Sequence, residues 1–108
     1  MASEPTPTFT VRVEDGPEGV VVVAQGELDI LGAPRLAEAL PREGTTPITI
    51  DLAAVEFMDS TGLRSLLEAR TAAAEAGRAF ALARPSPAVS RVLELVDLTS
   101  EFEVVELP

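Results

Sequence analysis

Short apolar runs of strand length alternate with segments of helical periodicity, and this alternation constrains the fold more than any other feature. Residues 9–13 alternate apolar with polar side chains, which predicts a half-buried strand. Residues 20–24 are apolar on both faces, as expected of an interior strand. Residues 15–19 are turn formers between these runs, so the two strands are predicted to form an antiparallel hairpin. Three further strands are predicted at residues 48–52, 79–83 and 102–105.

Three segments between the later strands have apolar residues at helical spacing. Pro34 suits the first position of a short helix that reaches about Leu40. The longest helix follows residues 53–62, which are predicted to be a loop, and Gly77 is a plausible stop signal for it. The last helix is predicted to begin after Ser86, a preferred capping residue that precedes a proline.

This element order predicts an α/β fold, because strand–helix–strand units require parallel pairing with right-handed crossovers. The chain of 108 residues has the length of one domain. We therefore expect a single domain over residues 9–108, with a mixed sheet of about five strands packed against helices and opening with the antiparallel hairpin. Residues 1–8, rich in proline and threonine, are predicted to be a flexible leader.

Composition excludes several classes of function. The chain has no cysteine and no histidine, so it lacks thiolate sites, disulfides and the base of a Ser-His-Asp triad. Eighteen acidic residues against eight basic ones give a net charge of −10, which disfavours nucleic acid and favours a positively charged partner. We expect no cofactor, no metal and no membrane insertion. The start lacks a signal peptide, so the protein is expected to be cytoplasmic.

The most informative segment is the predicted junction between the third strand and the longest helix. Asp59 or Ser60 suits the N-cap, and most such pairs are caps and nothing more. Gly62 disfavours a helix by about 1 kcal/mol relative to alanine, which favours a close approach of some other group to this backbone. Phe57 and Met58 are expected to anchor the segment and so to hold Ser60 in place.

The stretch from Phe57 to Leu63, with Gly26-Glu27-Leu28-Asp29 upstream, resembles the signature of the STAS domain found in bacterial anti-sigma factor antagonists. The resemblance covers nearly the whole chain. It implies a regulatory protein and not an enzyme. In this family an anti-sigma factor serine kinase binds the unmodified antagonist and phosphorylates the residue that corresponds to Ser60, and a serine phosphatase reverses the change. The partner-binding residues implied are Glu27, Asp29, Asp59, Thr61, Gly62 and Leu63.

Two alternatives remain open at this stage. STAS domains also serve as accessory subunits of phospholipid ABC transporters and in stressosome-type assemblies, where the hydroxyl residue need not be phosphorylated. The second alternative is a small enzyme that uses Asp29, Asp51 or Asp59, because carboxylates can carry out acid–base chemistry. The sequence does not identify the sigma factor, the kinase or the oligomeric state.

Overall fold

The computed structural model describes residues 8–107, so the predicted leader lies outside the described residues except for Thr8. These residues form one five-stranded sheet in the order β1-β2-β3-β4-β5, with three α-helices and one short 3₁₀ helix. The strands are β1 Phe9–Gly16, β2 Gly19–Leu28, β3 Ile48–Met58, β4 Phe80–Ala83 and β5 Val104–Val105. The helices are α1 Gly32–Ala39, α2 Ser60–Glu75 and α3 Pro87–Leu95, and the 3₁₀ helix is Thr99–Glu101.

The predicted hairpin is confirmed. Strands β1 and β2 pair antiparallel from Phe9 opposite Gly26 to Gly16 opposite Gly19. The other three pairings are parallel, so the sheet is mixed as expected. The alternation of β1 is only partly reflected in burial, since Phe9 is buried whereas Val13 is 48% exposed.

The strand order explains where the helices lie. Each connecting helix carries the chain one strand further in the same direction, and right-handed crossovers then place α1, α2 and α3 on one face of the sheet. A row of paired residues on that face, Val22, Ile50 and Leu82, is fully buried. This face forms the hydrophobic core, against which each helix packs its apolar side.

One prediction about the third strand was wrong. Residues 53–58 were expected to be a loop, but β3 continues to Met58 beside the second half of β2. The register between the two strands shifts after Asp51. The Asp51 carboxylate accepts a hydrogen bond from the Ala53 N–H at 3.1 Å, which provides a partner for that donor at the irregularity.

Smaller corrections concern the helix ends. Helix α1 begins at Gly32, so Pro34 is its third residue and not its first. This position is still compatible with proline, because the first four N–H groups of a helix have no acceptor within the helix. The cap of α3 was predicted correctly, since the Ser86 hydroxyl accepts from the Val89 N–H. Gly77 follows α2 with a φ of +70°, as its predicted role requires.

The opposite face of the sheet carries an ion pair that the sequence did not reveal. Asp51 is buried there and pairs with Arg84, whose side chain is 60% exposed. Arg84 adopts a φ of +47°, which is uncommon for a residue other than glycine. Within residues 8–107 the longest helix is α2, with 16 residues, and none is long and apolar enough to cross a bilayer.

Candidate functional site

The candidate site lies where strands β2 and β3 end side by side. The two strands are parallel neighbours, and their last residues, Leu28 and Met58, are paired in register. The Asp59 N–H donates to the Leu28 carbonyl at 3.4 Å. Consequently Asp29 and Asp59 leave adjacent strand ends, and helices α1 and α2 begin beside each other at this edge of the sheet.

Asp59 is the N-cap of α2, so the sequence-based choice between Asp59 and Ser60 is settled. Its backbone is extended, and its Oδ1 accepts from the Gly62 N–H at 3.0 Å. Its carbonyl accepts the first helical hydrogen bond, from the Leu63 N–H at 2.9 Å. Ser60 is therefore the first helical residue, held by the cap that precedes it.

Asp29 accepts similar hydrogen bonds ahead of α1, although the N-cap residue of that helix is Leu31, which makes no side-chain cap hydrogen bond. Its Oδ1 accepts from the N–H groups of Leu31 and Gly32, both at 3.0 Å. Its carbonyl accepts from the Ala33 N–H at 2.8 Å. Two segments thus share the spacing Asp-x-x-Gly, Asp29 to Gly32 and Asp59 to Gly62, and in each the carboxylate accepts from the glycine N–H. The repeated spacing after two strands was visible in the sequence, but it was not used there, and Asp29 was expected only as a partner contact.

The glycine of each segment is required by the chain's own packing. A Cβ on Gly62 would collide with the Leu28 carbonyl oxygen and would also press on the Met58 side chain. A Cβ on Gly32 would collide with the Glu27 carbonyl oxygen. The sequence argument that Gly62 allows a close approach is right in geometry. The approaching group, however, is strand β2 and not a ligand, so Gly62 carries no evidence of function.

The predicted site residues differ in accessibility. Ser60 is exposed, and Glu27, Asp29, Asp59 and Thr61 are partly exposed. Gly62 and Leu63 are buried, and Leu63, 8% exposed, belongs to the core cluster. Of the predicted partner-binding residues, these last two can therefore influence a partner only by positioning the residues around them.

Three apolar side chains close to the ends of β2 and β3 are exposed, and the sequence analysis did not assign them to the site. Ile30 and Leu31 are 69% and 70% exposed, and Phe57 is 49% exposed. Phe57 was expected to anchor the segment, and this was wrong, because the anchor is Met58, 4% exposed. The signal available in the sequence was the apolar pair inside the first Asp-x-x-Gly. We call the surface formed by Glu27, Asp29, Ile30, Leu31, Phe57, Asp59, Ser60 and Thr61 the Ser60 face.

The chemistry of the Ser60 face is that of a recognition surface with one hydroxyl group at a helix N-terminus. It carries three carboxylates, and it also includes the N–H groups and the positive end of the dipole at the start of α2. Asp29 and Asp59 already accept hydrogen bonds from backbone N–H groups, and Asp51 is paired with Arg84 at the other face of the sheet. Among residues 8–107, no cluster of three or more metal-ligating side chains is present.

A sheet with sequential strand order, helices on one face and a serine at the start of the second helix is the arrangement that the resemblance to STAS domains leads one to expect. The family model described as "Mlab, STAS domain" matches residues 11–106. The anti-sigma-F factor antagonist RsfB of Mycobacterium tuberculosis is 31% identical over 100 residues, which cover 90% of this chain and 81% of RsfB. The chain therefore belongs to the STAS domain family, in its group of anti-sigma factor antagonists.

Solved structures agree with this assignment. An anti-sigma factor antagonist from Mycobacterium paratuberculosis has a TM-score of 0.69 and 32% identity, covering 89% of this chain and 84% of that one. The Bacillus cell fate determinant SpoIIAA in its phosphorylated form has a TM-score of 0.64 over 92% of each chain. Since SpoIIAA is only 21% identical, this second likeness shows the fold alone.

Proposed function

We propose that this chain is an anti-sigma factor antagonist that binds an anti-sigma factor serine kinase when Ser60 is unmodified and is released when Ser60 is phosphorylated. The observation that carries the proposal is the position of Ser60. It is an exposed hydroxyl at the first residue of α2, next to the capping Asp59 and at an edge of the sheet that also carries exposed apolar side chains. The chain itself acts as the substrate of a kinase and supplies no catalytic group.

The free domain tolerates a phosphate at Ser60. Phosphorylation adds about 1.5 to 2 negative charges and three acceptor oxygens. The dipole of α2 favours this charge by about 0.3–1 kcal/mol, whereas the neighbouring Asp59 opposes it. In water, two unit charges 4 Å apart repel by only about 1 kcal/mol, so modification leaves the fold intact.

A docked complex responds differently, because the same charges lose their water. At an effective dielectric of about 20, the repulsion at 4 Å rises to about 4 kcal/mol. Losing even 2–3 kcal/mol of binding free energy weakens a complex by roughly 30- to 150-fold. Phosphorylation therefore acts as a local switch on the Ser60 face, without a change of fold.

The composition of the Ser60 face indicates what the partner must offer. Ile30, Leu31 and Phe57 are large apolar groups that fit an apolar depression on a partner. Glu27, Asp29 and Asp59 call for arginine or lysine at its rim, in agreement with the net charge of −10. RsfB, which is 31% identical, is an anti-sigma-F factor antagonist, and this supports the same type of function here. A serine phosphatase would return the modified form to the binding state.

Incubation with candidate anti-sigma factor kinases and ATP, followed by intact-mass measurement, tests the proposal. One phosphate should be gained by the natural chain and by Thr61→Ala, and none by Ser60→Ala. Amide spectra of the modified protein should change only around the Ser60 face. Modification at Thr61, or changes spread through the sheet, would contradict the proposal.

A second candidate function is that of an accessory subunit in a transporter or a stressosome-type assembly. The family model that matches this chain is described as "Mlab, STAS domain" and does not specify an anti-sigma factor antagonist, so it is compatible with this candidate. Affinity capture with the natural chain and with Ser60→Asp separates the two. Recovery of a kinase with the natural chain alone supports the antagonist. Recovery of a transporter ATPase with both supports the accessory subunit.

A further inference from the structure

A groove of about 620 Å³ runs between helices α1 and α2. The facing surfaces of the two helices are built largely from alanine, and such small side chains do not fill the space between the helices. Ala69 and Ala73 of α2 and Ile48 of β3 are buried residues of its lining, whereas Ala37 and Ala72 are exposed. The volume is within the range of small-molecule pockets, about 300–1,000 Å³.

The charges around this groove are opposite to those of the molecule as a whole. Its lining includes Arg42, Arg64 and Arg78, with Glu68 as its acidic residue. The chain carries a net charge of −10, so a locally positive, otherwise apolar groove is unusual for its surface. A positive margin on an apolar groove selects for a ligand that is apolar along most of its length and negative at one end.

Arg78 provides a second, independent indication. It is 5% exposed and donates four hydrogen bonds, all to neutral acceptors: the carbonyls of Pro41, Glu43 and Thr46 and the Thr46 hydroxyl. Among residues 8–107 no carboxylate forms an ion pair with it. These dipoles stabilise the guanidinium but do not neutralise its charge. A buried charge of this kind attracts an anion to the groove that it lines.

From these observations we propose that the α1–α2 groove binds an amphiphilic anion, such as a medium-chain carboxylate, with its tail between the alanines and its headgroup beside the arginines. The inference does not depend on the phosphorylation of Ser60. The groove nevertheless reaches the Ser60 face, because Ile30 and Thr61 are also among its lining residues. A bound ligand should therefore be detectable at the start of α2 as well as inside the groove.

The test is a titration of the isotope-labelled full chain with decanoate below its micelle concentration, followed by amide chemical shifts. We expect saturable shifts at Ala37, Thr61 and Ala72, and none with decyltrimethylammonium at the same concentrations. Absence of saturable shifts overturns the site. Equal shifts with the cationic probe overturn its preference for an anion.

Matched variants locate the ligand. Ala72→Leu fills the groove and should weaken decanoate binding at least about tenfold, whereas Ala74→Leu, an exposed position on the same helix outside the lining, should not. Arg64→Gln removes one charged donor and should also weaken binding about tenfold, with the exposed Arg91→Gln of α3 as its control.

Equal effects in either variant pair would contradict the assignment. An acidic amphipathic peptide that shifts these amides when decanoate does not would assign the groove to a protein partner, and the proposal would then be wrong.

Discussion

The two Asp-x-x-Gly segments share one framework but expose different side chains. In both, the Oδ1 of an aspartate that follows a parallel strand accepts from the glycine N–H at 3.0 Å. Asp59 is the N-cap of α2, whereas Asp29 lies two residues before the N-cap of α1. In both, the glycine lies where a Cβ would collide with a backbone carbonyl of strand β2. Between the aspartate and the glycine, the first segment has the exposed apolar residues Ile30 and Leu31, whereas the second has the hydroxyl residues Ser60 and Thr61.

This difference separates scaffold from function. The aspartate and the glycine build the edge of the sheet and would be needed whatever the protein binds. The two middle residues contribute little to the fold, so their chemistry is free to serve recognition. One segment offers exposed apolar area and the other an exposed hydroxyl, and under the proposed function the pair are complementary halves of a single docking surface.

The largest effect is expected at the two glycines. Gly62→Ala and Gly32→Ala should each lower the free energy of unfolding by about 3 kcal/mol, because a backbone carbonyl cannot move aside as a flexible side chain can. Urea unfolding measures this change. Gly44→Ala is the control: φ is +97° there but the space is open, so only backbone strain of about 1 kcal/mol is expected. Equal losses of stability at all three glycines would show that the collision with a backbone carbonyl is not the cause.

The next largest effect is on binding. Ser60→Asp should weaken the complex with the kinase about 100-fold, or about 2.7 kcal/mol, since it places a charge in a desolvated contact. Its thermal unfolding should hardly change, because an acidic residue is favourable in the first turn of a helix. Ser100→Asp, exposed in the 3₁₀ helix outside the Ser60 face, adds the same charge and should leave affinity unaltered. Similar losses for both variants would point to net charge and against a local switch.

A moderate effect on stability is expected at the two aspartates. Asp59→Ala removes the N-cap of α2 and should cost about 1 kcal/mol, as measured by thermal or urea unfolding. Asp29→Ala removes the acceptor of two backbone N–H groups and should cost about the same. Asn at either position retains an acceptor oxygen and should recover most of that loss. If Asp59→Ala weakened partner binding without any loss of stability, its carboxylate would be a contact and not a cap.

Much of this arrangement was predictable from local pattern. The hairpin, the parallel order and the α3 cap follow from turn residues, periodicity and a Ser-Pro pair, all of which act over a few neighbouring positions. Residues 53–58 were not predictable in this way, because Ala53, Ala54 and Glu56 have weak strand preference. They form a strand because β2 lies alongside and the Asp51 carboxylate provides an acceptor at the register shift.

The candidate site shows the same division. Ser60 could be selected from its motif, but exposure depends on the packing of distant elements. Phe57 and Met58 are adjacent and both apolar, yet one is 49% exposed and the other 4%. Consecutive side chains of an extended strand point to opposite faces of the sheet. Because these residues were predicted to be a loop, the difference in exposure between Phe57 and Met58 was not predicted. The role of Gly62 was likewise misjudged because Leu28, far away in sequence, supplies the approaching atom.

The smallest effect on stability, and the sharpest test of the comparison, concerns the middle positions. Replacing Ile30 by Ser together with Leu31 by Thr should change the free energy of unfolding by no more than about 0.5 kcal/mol, because both side chains are mostly exposed. Kinase affinity should fall, since apolar contact area is lost from the Ser60 face. Leu95→Ser, 76% exposed on α3, is the control and should alter neither quantity. A stability loss well above 1 kcal/mol would show that Ile30 and Leu31 support the fold. Unchanged kinase affinity would show that these two side chains do not contact the partner.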